Sequence, residues 1–277
     1  MPPVIVADFK QTINWITHNQ DEWDEVKHKW KNTSAQRIYE LLKLKNRTAS
    51  LLLSEYPVFR NHQGYQLIQI DFQLQFPDKE KLLFDRWSSF LKGIRHILQV
   101  EVSDTEGKAL LELLKADDIS VDGQSLITVW LLAHVLPSPL LICSGKRRWK
   151  PSILESRDSI VVLVKDLSEL QATIAKLFSS WRDYDIASTP FIVVHGEDLK
   201  HPTGFTVWNN VVSYKLPSFQ KALDICLKLY KSYSLDFPRQ TASVWHLLAC
   251  YLYDFTLPSE QTNITAMVTA IRAKASS

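Results

Sequence analysis

The stretch His195-Gly196-Glu197-Asp198-Leu199-Lys200-His201 puts two carboxylates, two imidazoles and one ammonium into a single short segment. Residues of these types could move protons or hold a divalent metal. The segment follows an apolar run, and α/β proteins bind ligands beyond the carboxyl ends of such strands. A plain polar loop, turned by Gly196 and by Pro202-Thr203-Gly204, accounts for the same residues. A nuclease site would need Asp71 or Asp158 beside Asp198-Leu199-Lys200, with a metal against a phosphate. Gly196 suggests that the strand ends before Asp198, leaving that carboxylate on a loop. No residue is therefore given a catalytic role, and no metal or cofactor is expected.

Two basic features could meet nucleic acid. In Lys146-Arg147-Arg148-Trp149-Lys150 a Trp sits among cations, so it could stack on a base while its neighbours reach phosphates. Lys27 and Lys31, with Lys29, Lys43, Lys45 and Arg47, add charge near the N-terminus. A solvated surface explains both more simply, with Lys146–Lys150 as an exposed loop or nuclear-import signal. The net charge of only +2 does not point to a broad nucleic-acid footprint. No G-x-S-x-G, G-x-x-x-x-G-K-[ST] or G-x-G-x-x-G occurs, and the chain holds only seven Gly.

These residues need elements to place them. With 277 residues, 45% of them hydrophobic and 22% charged, the chain can bury a large core. Residues 7–53 read as helices, with Phe9, Ile13 and Ile16 on one face and Trp23, Val26 and Trp30 on the next. Ser34 is expected to cap a third helix carrying Ile38, Leu41 and Leu42. Residues 65–76 read as a strand. Ile68, Ile70, Phe72, Leu74 and Phe76 alternate there with Gln69, Asp71, Gln73 and Gln75. That amide-rich face is a candidate interaction surface, or the decoration of an exposed edge. Helical patterns follow at about 79–101, 105–116 and 123–135.

Residues 126–143 are apolar enough to consider as a membrane span, but Pro137 and Pro139 interrupt them, so a buried helix, a turn and a strand are expected. Residues 137–151 form the best internal boundary, either a linker or a long surface loop. Beyond it, runs at 159–164 and 191–194 with a helix between them read as a βαβ unit. A hairpin about Asn209-Asn210 comes next. Helices close the chain, with Asp224 and Lys228 pairing on a polar face. The expected class is α+β (mixed α/β): a helical region over 1–53, then a mixed α/β domain over 54–277. Cys143, Cys226 and Cys250 form no C-x-x-C pair, and the N-terminus has no secretory pattern, so an intracellular, cytoplasmic or nuclear protein is expected.

Several short pieces recur in a known order. They are Glu55-Tyr56-Pro57, Gly64-Tyr65, Leu67-Ile68, Asp71-Phe72 and Asp85-Arg86-Trp87, then Pro190-Phe191-Ile192-Val193-Val194. Tyr214-Lys215-Leu216, Ala222-Leu223-Asp224-Ile225-Cys226 and Val244-Trp245 complete the set. Together, over roughly 20–255, they resemble the uncharacterised conserved region found downstream of sterile-alpha-motif domains in many metazoan proteins. Members of that family look like domesticated, mobile-element-associated or adaptor genes, so the resemblance implies an interaction role. No room for a sterile-alpha-motif domain is expected before residue 20. The expected function is a non-enzymatic protein-interaction or adaptor module with a protein partner and no membrane. The alternatives are nucleic-acid binding through 146–150 and the basic N-terminal helices, and a metal-dependent hydrolase or nuclease centred on 195–201.

Overall fold

The structure is a computed structural model that describes residues 8–45, 47–136, 138, 141–144, 147–183, 189–209, 212–257 and 262–276. Among the described residues the α-helices α1 (Phe9–His18), α2 (Trp23–Lys43), α3 (Ala49–Glu55), α4 (Tyr65–Gln75), α5 (Leu82–Glu101), α6 (Thr105–Leu113) and α7 (Val121–Val135) come first. A small hairpin of β1 (Ile142–Ser144) and β2 (Arg147–Trp149) leads to α8 (Ile153–Asp158). Then come β3 (Val161–Val164), α9 (Leu170–Asp183), β4 (Phe191–His195), β5 (Gly204–Asn209) and β6 (Val212–Leu216). The chain closes with α10 (Phe219–Ser232), α11 (Ala242–Tyr253) and α12 (Thr262–Ser276). This is an α+β fold.

Side-chain caps set several helix starts. Thr48, Asp104, Ser120, Ser152 and Ser218 each accept a backbone N–H from the first turn of α3, α6, α7, α8 and α10. Ser152 and Glu155 form a reciprocal capping box. Ser34 does not cap: α2 runs unbroken through it, and Ser34 is buried on the helix flank. With no Pro or Gly between residues 23 and 43, nothing there stops the helix.

The expected strand at 65–76 is the helix α4. Its buried residues are Leu67, Ile68, Asp71 and Phe72, two i,i+4 pairs on one face. Leu74, which a strand would have buried, is 44% exposed. Asp71 is fully buried because Arg37 of α2 meets it there. The period of two was thus an accident of residue order.

The main sheet has the order β3-β4-β5-β6. β3 and β4 are parallel and joined through α9, and β4, β5 and β6 run antiparallel. Residues 210–211, in the expected hairpin turn, lie outside the described residues. Alternation sends Val161, Ile192, Val194, Phe205, Val207, Tyr214 and Leu216 into the main core, on the side where α10 packs. On the opposite face Val162, Val164, Phe191 and Val193 meet Ile142, Trp149, Ile174 and Trp181 in a second, smaller core. The main core draws residues from Ile16 to Ile271, so it takes side chains from both sides of 137–151. α7 is apolar all round and buried along its length from Ser125 to Ala133. Among the described residues no helix is long and apolar enough to cross a membrane.

Candidate functional site

The loop after β4 is bonded inward. Asp198 Oδ1 accepts the backbone N–H groups of Lys200 at 2.7 Å and His201 at 2.8 Å, closing the turn. Lys200 Nζ donates to Asp118 Oδ2 at 2.6 Å. His201 Nε2 faces the Asp118 carbonyl at 2.7 Å, and its Nδ1 lies 3.3 Å from Asp198 Oδ1. With an acceptor at each ring nitrogen, the imidazolium is favoured. The Asp118 carbonyl first, and then Asp198, raise the His201 pKa above its ordinary value. The Lys200 carbonyl accepts from both the backbone N–H and the hydroxyl of Ser120, at 3.1 and 2.7 Å. It also lies where a Cβ on Gly123 would stand, 2.3 Å away. The loop is therefore clamped to the start of α7. His195 faces Thr203 Oγ1 at 3.1 Å, and Glu197 is exposed.

The carboxylates considered for a metal site are dispersed. Asp71 lies in the main core, bonded to Arg37. Asp158 closes α8 beside Arg157, and burial raises its pKa against the pull of that guanidinium. Among the described residues no three His, Cys, Asp or Glu side chains converge as metal ligands. Gln69 and Gln73 of α4 do not share a face with Asp71 as a strand would have arranged them, and Gln75 lies one helical turn beyond it. Gln73 is exposed, Gln69 is half-buried, and Gln75 donates to the Asp71 and Ser232 carbonyls at 3.2 Å.

The basic candidates divide similarly. Lys146 lies outside the described residues, and Arg147 is described only as part of β2. Arg148 and Lys150 are exposed, but Trp149 is 7% exposed and packs in the second core, so its ring is not presented to solvent. Lys27 pairs with Asp24 at 2.7 Å, and Lys31 is exposed on α2.

Two buried ionic networks also emerge. Arg37 donates to both oxygens of Asp71 at 2.8 and 2.9 Å, to the Trp30 carbonyl at 2.7 Å and to Thr33 Oγ1 at 3.1 Å. Tyr233 donates to the same carboxylate at 2.7 Å. Asp224 accepts from Lys228, Lys221 and the Tyr253 hydroxyl. The i,i+4 pair of Asp224 and Lys228 expected from the sequence is present, and it is buried. Burial lowers the Lys228 pKa, opposed by Asp224.

One surface hollow has no counterpart in the sequence reading. It is a groove of about 500 Å³ between α5 and α6. Its apolar residues are Val102, Leu111 and Leu114; Val102 and Leu114 are buried and Leu111 half-buried. Exposed Arg95, Gln99, Lys108, Glu112 and Lys115 complete the lining. Lys115 donates to Glu112 at 2.7 Å. No carboxylate lies within ion-pairing distance of Arg95 or Lys108 among the described residues. The only sequence signal was Lys108, Leu111 and Lys115 at i, i+3 and i+7 on one helical face. Chemically the groove can bind but carries no nucleophile–base pair. Comparison with protein-family models, with curated proteins and with solved structures gave no match.

Proposed function

We propose that this chain is a non-enzymatic protein-interaction module of an intracellular assembly, and that it meets its partner through the α5–α6 groove. The carrying observation is the groove itself: half-buried Leu111 lies in its lining, and exposed Arg95 and Lys108 on its edge have no ion pair among the described residues. A hollow with an apolar side chain and a polar rim suits protein contact. The resemblance to the region downstream of sterile-alpha-motif domains points to the same kind of role. The polar loop at 195–201 supports it indirectly, since Lys200 and His201 bond Asp118 just before α7 and Asp198 closes the loop's own turn. Burial of Trp149 removes the stacking surface on which nucleic-acid binding through 146–150 depended.

The test is site-directed photocrosslinking. A crosslinker placed at Lys108, in the groove, is expected to label one partner protein, identified by mass spectrometry. The same crosslinker at exposed Ser213 on β6 should not. Equal labelling from both positions, or none from Lys108, overturns the proposal.

A further inference from the structure

We propose that His201 is a proton-operated latch: its imidazolium ties the 195–201 loop to the segment before α7, and that tie loosens when the proton leaves. The Asp118 carbonyl lies 2.7 Å from Nε2, and the Asp198 carboxylate lies 3.3 Å (Oδ1) and 3.4 Å (Oδ2) from Nδ1. Asp198 is held ionised, its pKa lowered first by the His201 backbone N–H that it accepts. Both neighbours of the ring are thus acceptors, so both ring nitrogens must donate. Only the imidazolium does that. A neutral ring turns one lone pair toward a carbonyl or a carboxylate, and one of the two contacts becomes repulsive. Those contacts reach different parts of the chain. Asp198 belongs to the loop itself, whereas Asp118 lies between α6 and α7. The ring therefore bridges the end of β4 to the approach to α7.

The surrounding charges set the direction. Lys200 carries the like charge, but its ammonium is paired with Asp118 Oδ2 at 2.6 Å. That same oxygen lies 3.9 Å from His201 Nε2. Glu197 and Asp117 are exposed, and Asp122 in the first turn of α7 accepts the Phe219 N–H instead. The balance raises the His201 pKa, through the Asp118 carbonyl first and Asp198 next. A group whose pKa rises on folding steadies the fold fully on the acid side, and that contribution is lost as the pH climbs through the raised value. The latch is one tie among several. Ser120 still holds the Lys200 carbonyl, and Lys200 still holds Asp118. Loss of the proton therefore loosens the loop without detaching it.

The experiment follows the full chain by NMR across the imidazole range, about pH 5.5 to about pH 8.5. The His201 ring signals, identified by their loss in His201→Gln, are expected to titrate above the ordinary ~6.5 of imidazole. Exchange of the Ser120 amide, which donates to the Lys200 carbonyl at 3.1 Å, is read over the same range and corrected for base catalysis. Its opening should become about two- to fivefold easier as the pH passes the His201 midpoint, the scale of one exposed ion pair. Exchange of the Ala222 amide in α10, corrected in the same way, should not change. His201→Gln keeps a side-chain N–H for the Asp118 carbonyl but takes up no proton, so Ser120 should stay at the loosened level at every pH. Asp198→Asn keeps an oxygen for the loop's two N–H groups and should lower the His201 midpoint. His201 is exposed, so both variants are compatible with folding. A midpoint at or below ~6.5 overturns the latch. So does Ser120 protection that is flat through the midpoint, or that keeps its pH dependence in His201→Gln.

Discussion

Arg37 is the most demanding residue in the chain. Its side chain and that of Asp71 have no exposure to solvent. Two charges taken from water lose several kcal/mol of hydration each, which only close pairing and full hydrogen bonding offset. Asp71 accepts three hydrogen bonds, and the Arg37 guanidinium also bonds Trp30 and Thr33, with Cζ 3.3 Å from the Trp30 ring centroid. The same carboxylate binds Tyr233, whose hydroxyl burial holds well above its ordinary pKa. We predict that Arg37→Met lowers stability by about 3–5 kcal/mol, because it strands a buried carboxylate. Arg37→Met with Asp71→Leu should recover most of that loss, since no charge is then left alone. Urea unfolding of the three proteins measures this; a single variant as stable as the parent would show that the charges are not buried as a pair.

Between elements, α12 approaches α5 closely at Gly93. A Cβ at Gly93 would lie 2.2 Å from the Ile271 carbonyl oxygen and 2.8 Å from Ile271 Cγ2. Only Gly lets the two helices meet here, and Ile264 and Ile271 are fully buried as a result. Gly93→Ala is expected to push α12 outward and to destabilise the chain by about 1–3 kcal/mol. Hydrogen exchange should then quicken in α12 while α10 is unchanged; unaltered protection of α12 would mean that the contact is loose. Sequence periodicity revealed α5, α7 and the β3-α9-β4 unit because their apolar residues recur on one face or run without interruption. It failed at α4 because Asp71 looked like a solvent residue. Its burial depends on Arg37, 34 positions earlier, a pairing that no local pattern encodes. The groove was hidden for a related reason: Arg95 and Lys108 are separated in sequence and line one hollow only in the folded chain.

At the scale of the whole molecule the sheet separates two cores of unequal size. The main core joins α2, α4, α5, α7, α10, α11 and α12 to one face of the sheet. The smaller core holds β1, β2 and α9 on the other face, with Trp149, Ile174, Trp181 and Phe191 at its centre. A layer with fewer buried partners opens at lower free energy than the body it covers. α10 carries Ala222 through Tyr230 entirely buried, whereas α9 contributes only Ile174 and Trp181 to the fully buried set among the described residues. Native-state hydrogen exchange is therefore expected to show α9 opening below the global unfolding free energy and α10 opening only with it. Trp181→Ala, which removes one of the largest buried side chains, should lower the protection of α9 further, by up to about 3–5 kcal/mol at the site. A common exchange free energy across α9 and α10, shifted equally by Trp181→Ala, would mean that the two cores unfold as one.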